Sequence, residues 1–525
     1  MKWLIRLSVV FFLFSAKALD GDLFAQDSVS TPETAWSSAE RIPRKQRSIG
    51  LIGSDRAQFY ALLETSQRGT RYDLLCYDRK TMAQRGAFEL KLPEVSGDQL
   101  LFHSLHVLEP GLLLLGTVRD RANDRMQAYG VWYDKKGQPL DLPILLAEHV
   151  PNRRSENPDF GFELSSDSTL LLIHHNTAVS RKANERFEMK VVDMALETVW
   201  QKEIELPYRA DLLEINQYLL DPGGHVYMMT GISTEKSRLR TEERPLSEKR
   251  YVLITYNPDQ NKVKEYEVEL NNKWVIATAF DLAPNGDLAI GGFYSNDRYF
   301  SIAGTFFFRI DGETKKVLAK GMKAFDQSFL EQFMSERRAE KGSELDNFYF
   351  DHFVLDEDGG ATFVGEQFFV TQRFRSDITT GRQEIQYFYH YNDLIVVDVN
   401  PDGTIHWATK IAKNQVSMND RGPYSSYAFT RQGDQLYFVF NDHPENPERL
   451  NADKNANPRS FDNIKRSKVS LVSMDDEGYQ RRIPLFGSKD EQTVVRPKVH
   501  ISPTPGEIFI YSQYRRHFRF GRMKF

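Results

Sequence analysis

Cysteine is nearly absent: Cys76 is the only one in 525 residues. One cysteine cannot form an internal disulfide, so packing has to hold the fold together. Cys76 lies in the apolar run 72–77 and reads as a small buried hydrophobe. An excess of one charge is also missing. Lys and Arg number 68 against 73 Asp and Glu, which speaks against a nucleic-acid binder with its basic surface. Beyond the first residues no apolar run is long enough to cross a bilayer, so no transmembrane span is expected in the mature chain. The G-x-S-x-G elbow, the Walker loop and H-E-x-x-H are missing as well. The twelve histidines form no metal cassette, since His174 and His175, like His103 and His106, would fall on opposite faces of a strand. No catalytic residue, cofactor or metal site is expected, and the balance leans away from an enzyme.

What is present begins with an address. Lys2 and Arg6 precede an apolar core at 7–14, too short to span a membrane as a mature helix. Ala16-Lys17-Ala18 and Leu23-Phe24-Ala25 fit small-x-small cleavage sites. Residues 1–25 are therefore expected to be a signal peptide. The protein is expected to be exported to a periplasmic, cell-surface or extracellular location. Residues 26–48 read as a polar linker, with an extended piece near 39–42 that can serve as a closing strand.

From residue 49 one cycle recurs. Its clearest copy is 274–325. There the runs 274–282, 288–294, 303–310 and 316–323 are joined by Pro284-Asn285-Gly286-Asp287, Ser295-Asn296-Asp297 and Asp311-Gly312-Glu313. Runs of this length, rich in aromatic and β-branched residues and joined by Asn-Gly and Asp-Gly, predict a four-stranded antiparallel meander. About eight such units follow one another, which predicts an all-β propeller over 49–525 as a single domain. Seven blades are the alternative, if the incomplete first and last units share one. Residues 328–345 predict one inserted amphipathic helix, with Ser328 and Glu331 as a capping box. The acidic loops at 356–359 and 475–478 place Gly fourth, unlike a calcium loop of the EF-hand kind, and read as hairpin turns.

Two corners carry a family resemblance. Val191-Val192-Asp193 leads to Trp200, and Val396-Val397-Asp398 leads through Asn400-Pro401-Asp402-Gly403 to Trp407. An apolar strand, Asp, a turn and Trp resembles the repeat of pyrroloquinoline-quinone-type propellers. Gly is missing before Trp200, and the corners at Asp134 and Asp311 have no Trp. The quinone enzymes carry vicinal cysteines, which this chain cannot supply. The resemblance therefore implies the fold and points to the cofactor-free periplasmic scaffold members.

Loop lengths are uneven. Within a unit the first-to-second and third-to-fourth turns are short. The second-to-third connections at 180–185, 234–249, 371–386 and 441–466 are long, and strand parity puts them and the 328–345 helix on one side of the disk. Binding residues concentrate in such loops. Within 371–391, Arg373, Phe374, Arg375, Arg382, Tyr387, Tyr389 and Tyr391 are the candidate partner contacts, because arginine and tyrosine are enriched in interface hot spots. The expected function is a monomeric propeller that binds a protein or assists envelope assembly. The alternative is an extracytoplasmic hydrolase or lyase acting on polysaccharide or peptide at the central funnel.

Overall fold

The computed structural model describes residues 31–525, except 67–68, 152–158, 178–179, 181, 234–248, 284, 298–299, 315, 377–382 and 489–490. The expected signal segment, the connection 234–248 and Arg382 lie outside the described residues.

Among the described residues the strands form eight antiparallel sheets of four or five strands, with two small two-stranded ribbons. The sheets cover 46–90, 101–149, 161–209, 213–268, 274–324, 348–418, 428–487 and 495–524, and we number them first to eighth. The second and third strands of most sheets are buried on both faces, as in Leu112–Asp120 and Leu288–Ser295. The outer strands alternate and face water, as in Gln84–Leu90. Strands sandwiched between neighbours read as continuous apolar runs. Successive side chains leave a strand on opposite faces. Leu112 and Leu114 therefore pack toward the first sheet, while Leu113 and Leu115 pack toward the third.

Eight apolar clusters of this kind join each sheet to the next. The eighth cluster closes the ring by joining the last sheet to the first. At that seam Phe59 stacks on Phe509 with ring centroids 4.6 Å apart. The outermost strand of the eighth sheet comes from the other end of the chain. Glu33–Trp36 pairs with Gly521 to Lys524, and Glu40–Arg41 pairs with His517 and Phe518. The fold is an all-β propeller.

The turns explain the repeated Asp-x-x-Gly. At 134–137 the amide of Gly137 donates to the carbonyl of Asp134, and the Asp134 carboxylate accepts from the amides of Lys136 and Gln138. Gly137 sits at φ 72°, where only glycine is unstrained. The turn before Trp200 has no glycine, and Leu196 takes the left-handed conformation in its place, at φ 63°. The acidic loops are turns of the same kind: Asp475 accepts from the amides of Glu477 and Tyr479.

The segment 328–345 differs from the expected single helix. It forms two short helices, Gln327–Leu330 and Glu336–Glu340. Asp326, not Ser328, caps the first by accepting from the Phe329 amide. After the first helix ends at Leu330, the Gln332 side chain accepts from the Lys410 amide of the sixth sheet at 3.2 Å. Phe329 and Leu330 still pack into the cluster between the fifth and sixth sheets. A further helix, Asn446–Ala452, occupies part of the connection 441–466. No helix among the described residues is long and apolar enough to cross a membrane.

Candidate functional site

The sixth sheet is the exceptional one. Its two middle strands, Ala361–Ser376 and Gln383–Val399, are 16 and 17 residues long. Their neighbours are shorter: Phe348–Leu355 pairs only as far as Gln367, and Ile405–Ile411 only from Leu394. Residues 368–376 and 383–391 therefore project from the disk as the two arms of a hairpin. A third strand, Gln415–Met418, lines its root by pairing with Phe388 to Tyr391. The segment 371–386 was expected to be a loop. The strands run through most of it, because aromatic and β-branched residues alternate there in a ribbon wet on both faces, which needs no apolar run.

The register sorts the candidate residues. Directly opposed residues share a face, so Val370, Phe374, Ile385, Tyr387 and Tyr389 lie on one side. Arg373 and Arg375 lie on the other, with Glu384 and Phe388. The first side is an apolar strip open to solvent: Phe374 is 75% exposed, Val370 43%, Ile385 42% and Tyr387 39%. On the second side the Arg373 guanidinium lies 4.8 Å from the Phe388 ring centroid. Tyr391 is buried. It is no outer contact, because its hydroxyl donates to the Arg421 carbonyl at 3.1 Å and accepts from the Lys498 ammonium at 2.7 Å.

Tyr391 and Phe368 lead from the hairpin root into a cavity of about 470 Å³ at the channel mouth. The first strands of the sixth and eighth sheets supply Asp351, His352, Lys498 and His500, and Tyr427 comes from just before the first strand of the seventh. Beneath them Glu366 and Lys413 form a buried ion pair at 2.7 Å. Lys413 also donates to the Tyr391 carbonyl and the Gln415 side chain, while Ser426 donates to Glu366. This buried network is hydrogen-bonded at every charge, which buried charges require.

Asp351 has no such partner. Its carboxylate accepts from the Tyr427 hydroxyl at 2.8 Å. Asp351 is exposed at the cavity wall, yet partial desolvation of its carboxyl, with the Glu366 charge behind it, pushes its pKa up to about 7. Burial lowers His352 to about 4 and draws Lys498 below the ordinary lysine range. His500 is occupied on both nitrogens: its Nε2 accepts from the Phe429 amide, so its Nδ1 donates to the Pro497 carbonyl at 2.6 Å. At neutral pH the mouth thus holds neutral imidazoles, one ammonium and a carboxyl poised to give or take a proton. Among the described residues no cluster of His, Cys, Asp and Glu is arranged to hold a metal ion. The sequence signal for Asp351 was a charged residue at an alternating position of an otherwise aromatic strand; Glu366 and Lys413 meet through strand pairing in the sixth sheet, and Tyr427 and Lys498 join them only through the ring.

The tryptophans of the resemblance are structural. The Trp200 indole donates to the Gly224 carbonyl and the Trp407 indole to the Asp476 carbonyl, each tying one sheet to a turn of the next.

No known protein family and no curated protein matches the chain. Solved structures similar to it include a member of the DUF4221 family from Bacteroides vulgatus, at 10% identity and TM-score 0.30, covering 85% of this chain and 98% of that one. A europium-containing methanol dehydrogenase is similar at 9% identity and TM-score 0.39, with 93% of each chain covered. The β-propeller domain of the trilobed protease from Pyrococcus furiosus is similar at 10% identity and TM-score 0.36, covering 86% of this chain and 98% of that domain. All three TM-scores lie below 0.5, and nothing about this chain's activity follows from them.

Proposed function

We propose that this protein is an exported propeller that binds a protein partner through the hairpin of its sixth sheet, in the manner of the cofactor-free scaffold propellers. The observation that carries this is the apolar strip of Val370, Phe374, Ile385 and Tyr387, raised above the disk and open to solvent. Apolar residues so exposed and contiguous mark interaction surfaces. The test joins Thr371 to Phe388, which oppose each other in register, by an Asn-Gly turn in place of 372–387. The variant is expected to melt as the parent does and to lose partner capture. A variant that folds and captures the same proteins sinks the proposal. Export is tested separately: the envelope-fraction protein should begin after Ala18 or Ala25, and an intact Met1 there refutes it.

A second reading, a hydrolase or lyase at the channel mouth, is favoured by one observation: Asp351 and Lys498 face the same cavity. Replacing Asp351 by Asn would then abolish turnover of polysaccharide or peptide while leaving partner capture intact.

A further inference from the structure

The outer strand of the hairpin stops pairing early. Residues as far as Gln367 pair with Phe348–Leu355, and the Phe368 amide donates to the Asn347 carbonyl at 2.9 Å. Beyond this the strand pairs only with Gln383–Val399. Main-chain groups of a strand alternate between its two sides. The amides and carbonyls of Val370, Gln372 and Phe374 therefore point the same way as the Phe368 amide, to an edge that no strand among the described residues covers. Residues 370–375 are exposed, and neither proline nor glycine interrupts 368–376. The one irregularity in the register lies at the root, between Glu366 and Phe368. An edge this long and regular is a template for another strand.

We infer that this edge takes an extended segment of the partner protein as an added strand, and that the segment alternates acidic and apolar residues. The inference rests on the protein-binding reading above and specifies its chemistry. Strand addition draws affinity from main-chain hydrogen bonds and specificity from alternate side chains. On one face the incoming residues lie beside Val370, Gln372 and Phe374, with Tyr387 and Ile385 behind them, and are selected to be apolar. On the other they lie beside Arg373 and Arg375, where Glu384 is the one carboxylate among the described residues of that face. Two guanidinium groups against one carboxylate leave a positive face, which selects acidic residues. A second copy of this chain is a poor occupant. Antiparallel pairing of two such edges would bring four arginines onto one face, and like charges across strands oppose pairing.

The probe is a fluorescent peptide of about eight residues alternating Glu and Val, close to the length of the open edge. Its controls are a Lys and Val peptide and a Glu and Val peptide N-methylated at its central residues. The full chain is expected to bind the first, more weakly as salt rises, and neither control. Gln372→Pro removes an outward amide and none that pairs within the hairpin, a position where edge strands tolerate proline. It should melt as the parent does and bind about tenfold more weakly, as loss of a ladder hydrogen bond and its neighbours implies. Arg373→Glu with Arg375→Glu should reverse the preference toward the Lys and Val peptide. The inference is overturned if the acidic peptide does not bind, if N-methylation leaves its affinity unchanged, or if Gln372→Pro folds and binds it equally. Sedimentation showing a wild-type dimer that Gln372→Pro abolishes would also overturn it, by assigning the edge to a second copy. The two proposals separate cleanly. If replacing 372–387 abolishes capture and Gln372→Pro does not, the hairpin remains the binding element and strand addition falls. If the replacement captures as before, both fall.

Discussion

Strand Phe348–Leu355 carries Asp351 in its first half and runs into Asp356 at the turn that follows, and the two are treated oppositely. Desolvation pushes both carboxyls up, Asp351 to about 7 and Asp356 to about 6. At the turn end Asp356 meets the Arg431 guanidinium, which also donates to the carbonyls of Leu355 and Gly433 and reaches Asp434 at 3.5 Å. One side chain thus closes the turns of two sheets. At the channel end Asp351 is given only the neutral Tyr427 hydroxyl, while the nearby lysine that is fully buried, Lys413, is committed to Glu366. Both ends hold raised carboxyls, so a raised pKa alone does not separate a structural network from a site. Both carboxyls also line a cavity, so the difference lies in the partner: an arginine bonds Asp356, while Asp351 is left with a neutral hydroxyl.

The largest effect expected from breaking this contrast is at Lys413, which no solvent reaches. Lys413→Met keeps the volume but leaves Glu366 buried with only the Ser426 hydroxyl. Loss of one partner from a buried pair costs about 3–5 kcal/mol. Chemical denaturation should show that loss, and adding Glu366→Gln should recover part of it. No recovery would mean that packing, not charge, holds the floor of the channel mouth. Arg431→Met should cost less, about 1–2 kcal/mol at neutral pH, because Asp356 can take up a proton instead. Its deficit should shrink when the same denaturation is run at pH 5. A deficit that grows on acidification would show that Arg431 acts through its carbonyl contacts rather than through Asp356.

The same contrast separates what could be read in the sequence from what could not. The meander 274–325 was legible because its first three strands are apolar and every boundary is a turn signal; its first strand is Trp274–Leu282, as read. The hairpin was not legible as strands, since Thr371, Gln372, Arg373 and Arg375 carry no core-facing signal. Its aromatic and arginine residues were noticed, yet only pairing with Gln383–Val399 shows that they divide between two faces. The channel mouth was the least legible part. Glu366 and Lys413 are 47 residues apart and meet through the strand pairing of the sixth sheet, while Lys498 and Tyr391 are 107 apart and belong to different sheets that only the ring brings together.

The smallest effect is the one that tests the channel end most directly. Asp351 holds a proton in the folded chain that it has released in the unfolded chain between about pH 4 and pH 7. Its contribution therefore favours folding at low pH and is lost as pH rises through the folded value. Asp351→Asn cannot lose a proton, and its amide oxygen can still accept from Tyr427. The variant should match the parent near pH 4 and become the more stable of the two above pH 7. Because the carboxyl opens to channel water, the gap should stay below about 1 kcal/mol. Asp356 titrates in the same window but is present in both proteins, so the difference between their two pH–stability curves isolates Asp351. Parallel curves would show that Asp351 is as well solvated as a surface carboxylate, and the distinction between the two ends of the strand would collapse. A gap of the expected sign, without any change in partner capture, would place the carboxyl in the channel's chemistry and leave binding to the hairpin.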